Sequence, residues 1–237
     1  MTKPSIITLG RFVICSLISL ILVSCSKTND RVVGDYGYYL LFKHRPAERI
    51  IVIDDTDIQH SNNLSCLELH ALVTSEFCEQ FGYNIPQPYY IESDKGIEQQ
   101  IKDYLDPNGN KYNGSMPVIV EYRTEGCKQI HISMYDKDDA FLSDLTDMAR
   151  FHYVTGTASW DEDGMNLLID TSKKLLGKIA IGSTIQEYLT YNPMIFAEAR
   201  FIFPELDKTA LEDGSYLLIE IELNDGRFLT ANSKEAI

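Results

Sequence analysis

The sequence predicts a mainly β protein of the α+β class: an immunoglobulin-like antiparallel β-sandwich in the C-terminal half behind a helix-containing N-terminal portion. Three observations predict it. From Met116 onward apolar and polar residues alternate with a period of two, which sends successive side chains to opposite faces of a strand. The alternating runs are short and broken by turn residues at regular intervals, the pattern of a sandwich. Upstream, two segments repeat their apolar residues near 3.6, which reads as helix packed on a core.

The chain opens with Lys3 and Arg11, then an apolar run from Phe12 to Val23, then small residues. That is the order of a secretory signal, and the run is shorter than the roughly 20 residues a spanning helix needs. Leu22-Val23-Ser24-Cys25 resembles the lipobox of bacterial lipoproteins. The resemblance implies cleavage before Cys25 and acylation of that residue, so residues 1–24 are expected to be the signal peptide and 25–34 a polar tether. Several acyl chains together hold a membrane where one alone holds it only marginally. Ser26 is not the acid that resembles an inner-membrane retention signal, so the resemblance favours the outer membrane of a cell envelope. Residues 26–30 contain only one acid, Asp30, too few for the acidic run of surface-exported lipoproteins.

Residues 35–115 form the expected helix-containing portion and 116–237 the expected sandwich domain. Tyr36–Phe42 and Arg49–Asp54 read as strands, being aromatic or β-branched. On a 3.6-residue wheel Cys66, Leu67, Ala71, Val73, Phe77, Cys78 and Phe81 gather on one half, which predicts a helix from Asn62 or Asn63 to Gly82. A second helix is expected over Asp94–Leu105, with Ile97, Ile101, Tyr104 and Leu105 inward and Glu98 four residues before Lys102. Strands follow around 118–123, 129–134, 148–155, 165–171, 194–203, 215–223 and 227–232. Asp225-Gly226 suits a tight turn between the last two. Ser183 and Gln186 are spaced as a capping box, and Pro193 stops the short helix they start.

The formal net charge is −14, and loss of residues 1–24 removes two cations and no acid, taking it to −16. Such a surface repels phosphate backbones, so no nucleic-acid partner is expected, and membrane attachment falls to the lipid on Cys25. Cys66 and Cys78, 12 residues apart on the expected helix, lie too far apart to pair. Cys127 therefore bridges to Cys66 or Cys78, or all three are buried thiols.

Candidate chemistry is sparse. Glu220 and Glu222, two apart on a strand, share a face about 7 Å apart, a spacing compatible with glycosidase carboxyls and equally with a solvated strand face. Glu198 and Arg200 are expected to form a charge ladder beside them. The five histidines show no metal-ligand spacing; His131 and His152 are expected on outward strand positions and His70 on the inner helix face. Acidic turns at 54–57, 136–139 and 161–164, and the loop 106–110, suit turn chemistry better than a structural calcium, so no cofactor is expected. No phosphate-binding glycine loop and no serine-hydrolase elbow is present. Trp160 beside Asp161 and Asp163, with Tyr89 and Tyr90, can stack on a sugar and bind its hydroxyls. The expectation is a non-enzymatic, lipid-anchored binding or assembly module with a glycan or an envelope protein as partner. The alternatives are a carboxylate-dependent glycan hydrolase and a structural subunit of an outer-membrane complex.

Overall fold

A computed structural model describes residues 40–53, 65–75, 94–105, 118–155, 166–211 and 213–236. Among them twelve strands outweigh two α-helices. In chain order these are β1 (Leu40–His44), β2 (Arg49–Ile53), β3 (Cys66–Thr74), α1 (Lys95–Leu105), β4 (Val118–Tyr122), β5 (Cys127–Tyr135), β6 (Phe141–Asp144) and β7 (Arg150–Thr155). They continue with β8 (Asn166–Ile169), β9 (Leu175–Ile179), α2 (Ile185–Leu189), β10 (Glu198–Asp207), β11 (Tyr216–Leu223) and β12 (Phe228–Asn232).

Two four-stranded antiparallel sheets carry the body, one in the order β2-β3-β10-β7 and the other β12-β11-β5-β6. Two further two-stranded sheets are β1-β4 and β8-β9. Alternation drives this arrangement. Along β11, Leu217, Ile219, Ile221 and Leu223 are fully buried, and the residues between them are half-exposed. They meet Leu67, Leu69, Ala71 and Val73 of β3 and Phe201 and Phe203 of β10 in one hydrophobic cluster. Its aromatic centre is Phe201, 4.8 Å from Phe151 and 6.0 Å from Phe196. Tyr188 of α2 closes it, 5.1 Å from Phe151, and satisfies its buried hydroxyl on the Met194 carbonyl at 2.7 Å.

The helix expected over 62–82 is a strand where it is described. Leu67, Leu69, Ala71 and Val73 alternate into the core, with β2 on one side of β3 and β10 on the other. His70 and Thr74 are also buried and Leu72 is half-buried, so both faces are shielded. A strand shielded on both faces loses its polar–apolar alternation and can imitate a helical stripe. The division expected between residues 115 and 116 does not separate structural units either. β2 and β3 complete the sheet of β10 and β7, and Leu41–Leu105 group with Ile119–Ile237. Leu40 and Val118 are the described residues of a second unit.

The helix expected near 94–105 is α1. Asp94 caps it by accepting from the Gly96 and Ile97 amides, Ile97 and Ile101 are fully buried, and Glu98 meets Lys102 at 3.9 Å. Tyr104, expected inward, is exposed. The capping box before α2 sits one residue later than expected. Thr184 accepts from the Glu187 amide while Glu187 accepts from the Thr184 amide. Gly226 takes φ +86° in the β11–β12 turn, the left-handed geometry that its Asp-Gly step supplies. Gly126 is needed for a different reason: a β-carbon there would come within 2.2 Å of Asn224 and Thr171 side-chain atoms.

Cys66 and Cys127 are both free thiols, so no bridge joins these two, and the expected alternative with Cys78 falls outside the described residues. Deep burial in the hydrophobic cluster pushes the Cys127 thiol far up and makes it a packing group. Cys25, the tether, Cys78, Tyr89, Tyr90, Trp160, Asp161 and Asp163 lie outside the described residues, as do the acidic stretches 54–57, 106–110 and 161–164.

Candidate functional site

The outward positions of β5, β11 and β12 converge because of register. Glu220 lies opposite His131 on one side and Thr230 on the other, and Glu222 lies opposite Gln129 and Phe228. These positions make a groove of about 220 Å³ lined by Gln129, His131, Glu220, Glu222 and Phe228. A register shift between Glu222 and Leu223 inserts Lys128 as an extra residue, which turns both Lys128 and Gln129 to solvent. Lys128 Nζ then reaches Glu222 Oε1 at 2.5 Å. Phe228 is 66% exposed, an aromatic ring left open beside a row of polar groups.

The His131 ring is pinned at both nitrogens, with Nε2 2.9 Å from Ser133 Oγ and Nδ1 3.0 Å from Thr146 Oγ1. Asp144 Oδ2 lies 3.8 Å from the same Nδ1, and Asp144 Oδ1 accepts from the Thr146 amide. Partial burial pushes the Asp144 carboxyl up, but hydrogen bonds from Thr146 and the neighbouring His131 hold it below the usual range. The order serine–histidine–aspartate is that of a hydrolase triad, yet the arrangement does not suit nucleophilic chemistry. Ser133 is only 1% exposed, and the imidazole spends Nδ1 on a threonine instead of the carboxylate. The network orients His131 as one wall of the groove.

The side chains of Glu220 and Gln129 have no hydrogen-bond or ion-pair partner among the described residues. Glu198 and Arg200, expected beside them, belong to the other sheet. On its outer face His70 Nε2 meets Glu198 Oε1 at 2.7 Å, and Arg200 Nη1 lies 3.8 Å from Glu68 Oε1. His70 is thus a strand residue paired to a carboxylate, not part of an inner helix face.

A third polar group is structural. Arg123, fully buried, donates from Nε to the Val73 carbonyl at 3.2 Å and meets Glu121 at 3.0 Å. Glu121 also forms an ion pair with Arg45, whose Nε lies 3.4 Å away. Beside them Tyr122 stacks on His44 with centroids 5.1 Å apart and accepts the Asp94 amide on its hydroxyl. Burial pushes the Tyr122 phenol up to about 12. These contacts tie β4 to the end of β3 and to the start of α1, with no opening toward solvent at Arg123 or Tyr122.

Among the described residues no cluster of three or more His, Cys, Asp and Glu side chains is arranged to hold a metal ion. The Asp136–Asp139 turn is self-contained, with Asp136 Oδ1 accepting from the Asp138 and Ala140 amides. No described helix is long and apolar enough to cross a membrane.

Sequence reasoning put His131, Glu220 and Glu222 on outward faces one strand at a time, and it missed Phe228. An aromatic at an outward position two residues beyond the Asp-Gly turn was the available signal. No protein-family model, curated protein or solved structure matches the chain.

Proposed function

We propose that this chain is a lipid-anchored envelope protein whose β-rich body binds glycans on the outer face of the β12-β11-β5-β6 sheet. The observation that carries the reading is the groove in which an exposed Phe228 ring stands beside Gln129, His131, Glu220 and Glu222. An aromatic face packs on the apolar side of a sugar ring, and carboxylate and amide groups take its hydroxyls. A shallow face suits binding better than hydrolysis, which requires one carboxyl kept as an acid in an enclosed site. Here Glu222 is held by Lys128. The lipobox ending at Cys25 supplies the anchor in this reading, and the outer membrane is its destination. We read the body as an immunoglobulin-like sandwich, since both four-stranded sheets feed one core.

Titrating the protein with neutral oligosaccharides, followed by amide and side-chain NMR, tests the binding face. Shifts should cluster at Gln129, His131, Glu220 and Phe228, and Phe228→Ala should weaken binding by about tenfold or more, the loss of one stacking contact. Shifts that avoid these residues with every sugar tried would sink the reading. Metabolic fatty-acid labelling that disappears in Cys25→Ala supports the anchor; labelling that survives removes it.

A second reading, a subunit of an envelope assembly, draws on β6. This strand ends its sheet with Phe141 57% and Leu142 47% exposed. Cross-linking in native envelopes that yields one stoichiometric partner through β6 would favour it.

A further inference from the structure

We infer that the groove selects glycans that carry a protonated amine, a hexosamine without its N-acetyl group being the smallest such unit. This rests on the glycan reading above and adds the charge of the ligand to it.

The argument is an inventory of what the groove has left to offer. Glu222 is matched by Lys128, and the His131 nitrogens are taken by Thr146 and Ser133. What remains is the Glu220 carboxylate and the Gln129 amide. An ionised carboxylate only accepts hydrogen bonds, so the ligand must donate at that point. A hydroxyl donates once. An ammonium group donates three times, brings the opposite charge and makes the stronger charge-assisted bond. The exposed Phe228 ring next to Glu222 adds a π face that favours a cation over a neutral group.

The same inventory disfavours acidic sugars and phosphorylated glycans. An anion in the groove would face Glu220 and Glu222 with Lys128 already engaged, within a chain of net charge −14. An N-acetyl group replaces the ammonium charge by a neutral amide and forfeits the pairing with Glu220.

The test compares glucosamine oligomers with N-acetylglucosamine oligomers of equal length, by calorimetry and NMR, at a pH where the free amine is protonated. Glucosamine oligomers should bind about tenfold tighter, the gap between a charge-assisted and a neutral hydrogen bond, and added salt should narrow it. Glu220→Gln should erase the preference, bringing the two oligomers to equal affinity, with an unchanged melting midpoint showing the variant folded. Equal or tighter binding of the acetylated oligomer overturns the amine preference and leaves the glycan reading standing. A preference that survives Glu220→Gln overturns it too, because the attraction then comes from the acidic surface at large. Groove shifts absent with amine, acetylated and neutral oligomers alike would remove both readings together.

Discussion

The two sheets bury similar inner faces and present opposite outer ones. On the β2-β3-β10-β7 sheet the charges at its centre stand at ion-pair distance, His70 with Glu198 and Arg200 with Glu68. On the β12-β11-β5-β6 sheet the pairing stops part-way, with Lys128 on Glu222 and no side-chain partner for Glu220 or Gln129 among the described residues. His70 is 6% exposed and Phe228 is 66% exposed. Half-buried charge that is matched serves the fold, since an unmatched buried charge costs it dearly. Half-exposed polar groups left unmatched beside an open ring are what the proposed glycan face would offer a ligand.

The common core sets the largest effect. Phe201→Ala removes the ring that touches Phe151 and Phe196 and should cost about 3–5 kcal/mol in chemical denaturation. A loss below about 1 kcal/mol would mean that the inner faces do not share one core. Next, Glu198→Ala deprives buried His70 of its carboxylate and should cost about 1–3 kcal/mol. Its counterpart on the other face, Glu220→Ala, should change stability by no more than about 0.5 kcal/mol. Equal losses from the two would erase the distinction between matched and open faces.

A smaller effect sits at alkaline pH. Burial pushes the Tyr153 phenol up, Glu198 adds to this, and Arg200 partly offsets it. A phenol raised on folding contributes stability that is complete below its unfolded value near 10 and is lost as pH rises through the folded value. Tyr153→Phe should therefore flatten the decline of the melting midpoint above about pH 10. A decline of unchanged slope would show that Tyr153 titrates as it does in the unfolded chain.

Legibility followed the contrast between faces. β11 and β5 read easily because each has one wet and one dry side, and α1 because Ile97 and Ile101 repeat at helical spacing. β3 misled because both of its faces are shielded. β6 offered nothing to read, since none of Phe141–Asp144 is buried, and β9 is interrupted by Gly177 at φ +131°. The groove was half-legible. Outward positions follow from period two, but the register that sets Glu220 against His131 joins strands far apart in sequence, and no local pattern encodes it.

Gln100 has one more consequence. Its side-chain amide spans two backbone groups of the β8–β9 hairpin, donating to the Lys173 carbonyl and accepting from the Leu175 amide at 2.9 Å. A primary amide so placed occupies the Leu175 amide at the start of β9, one of the donors a foreign chain would use to add itself there. One residue of a neighbouring helix thus blunts an edge that would otherwise template aggregation.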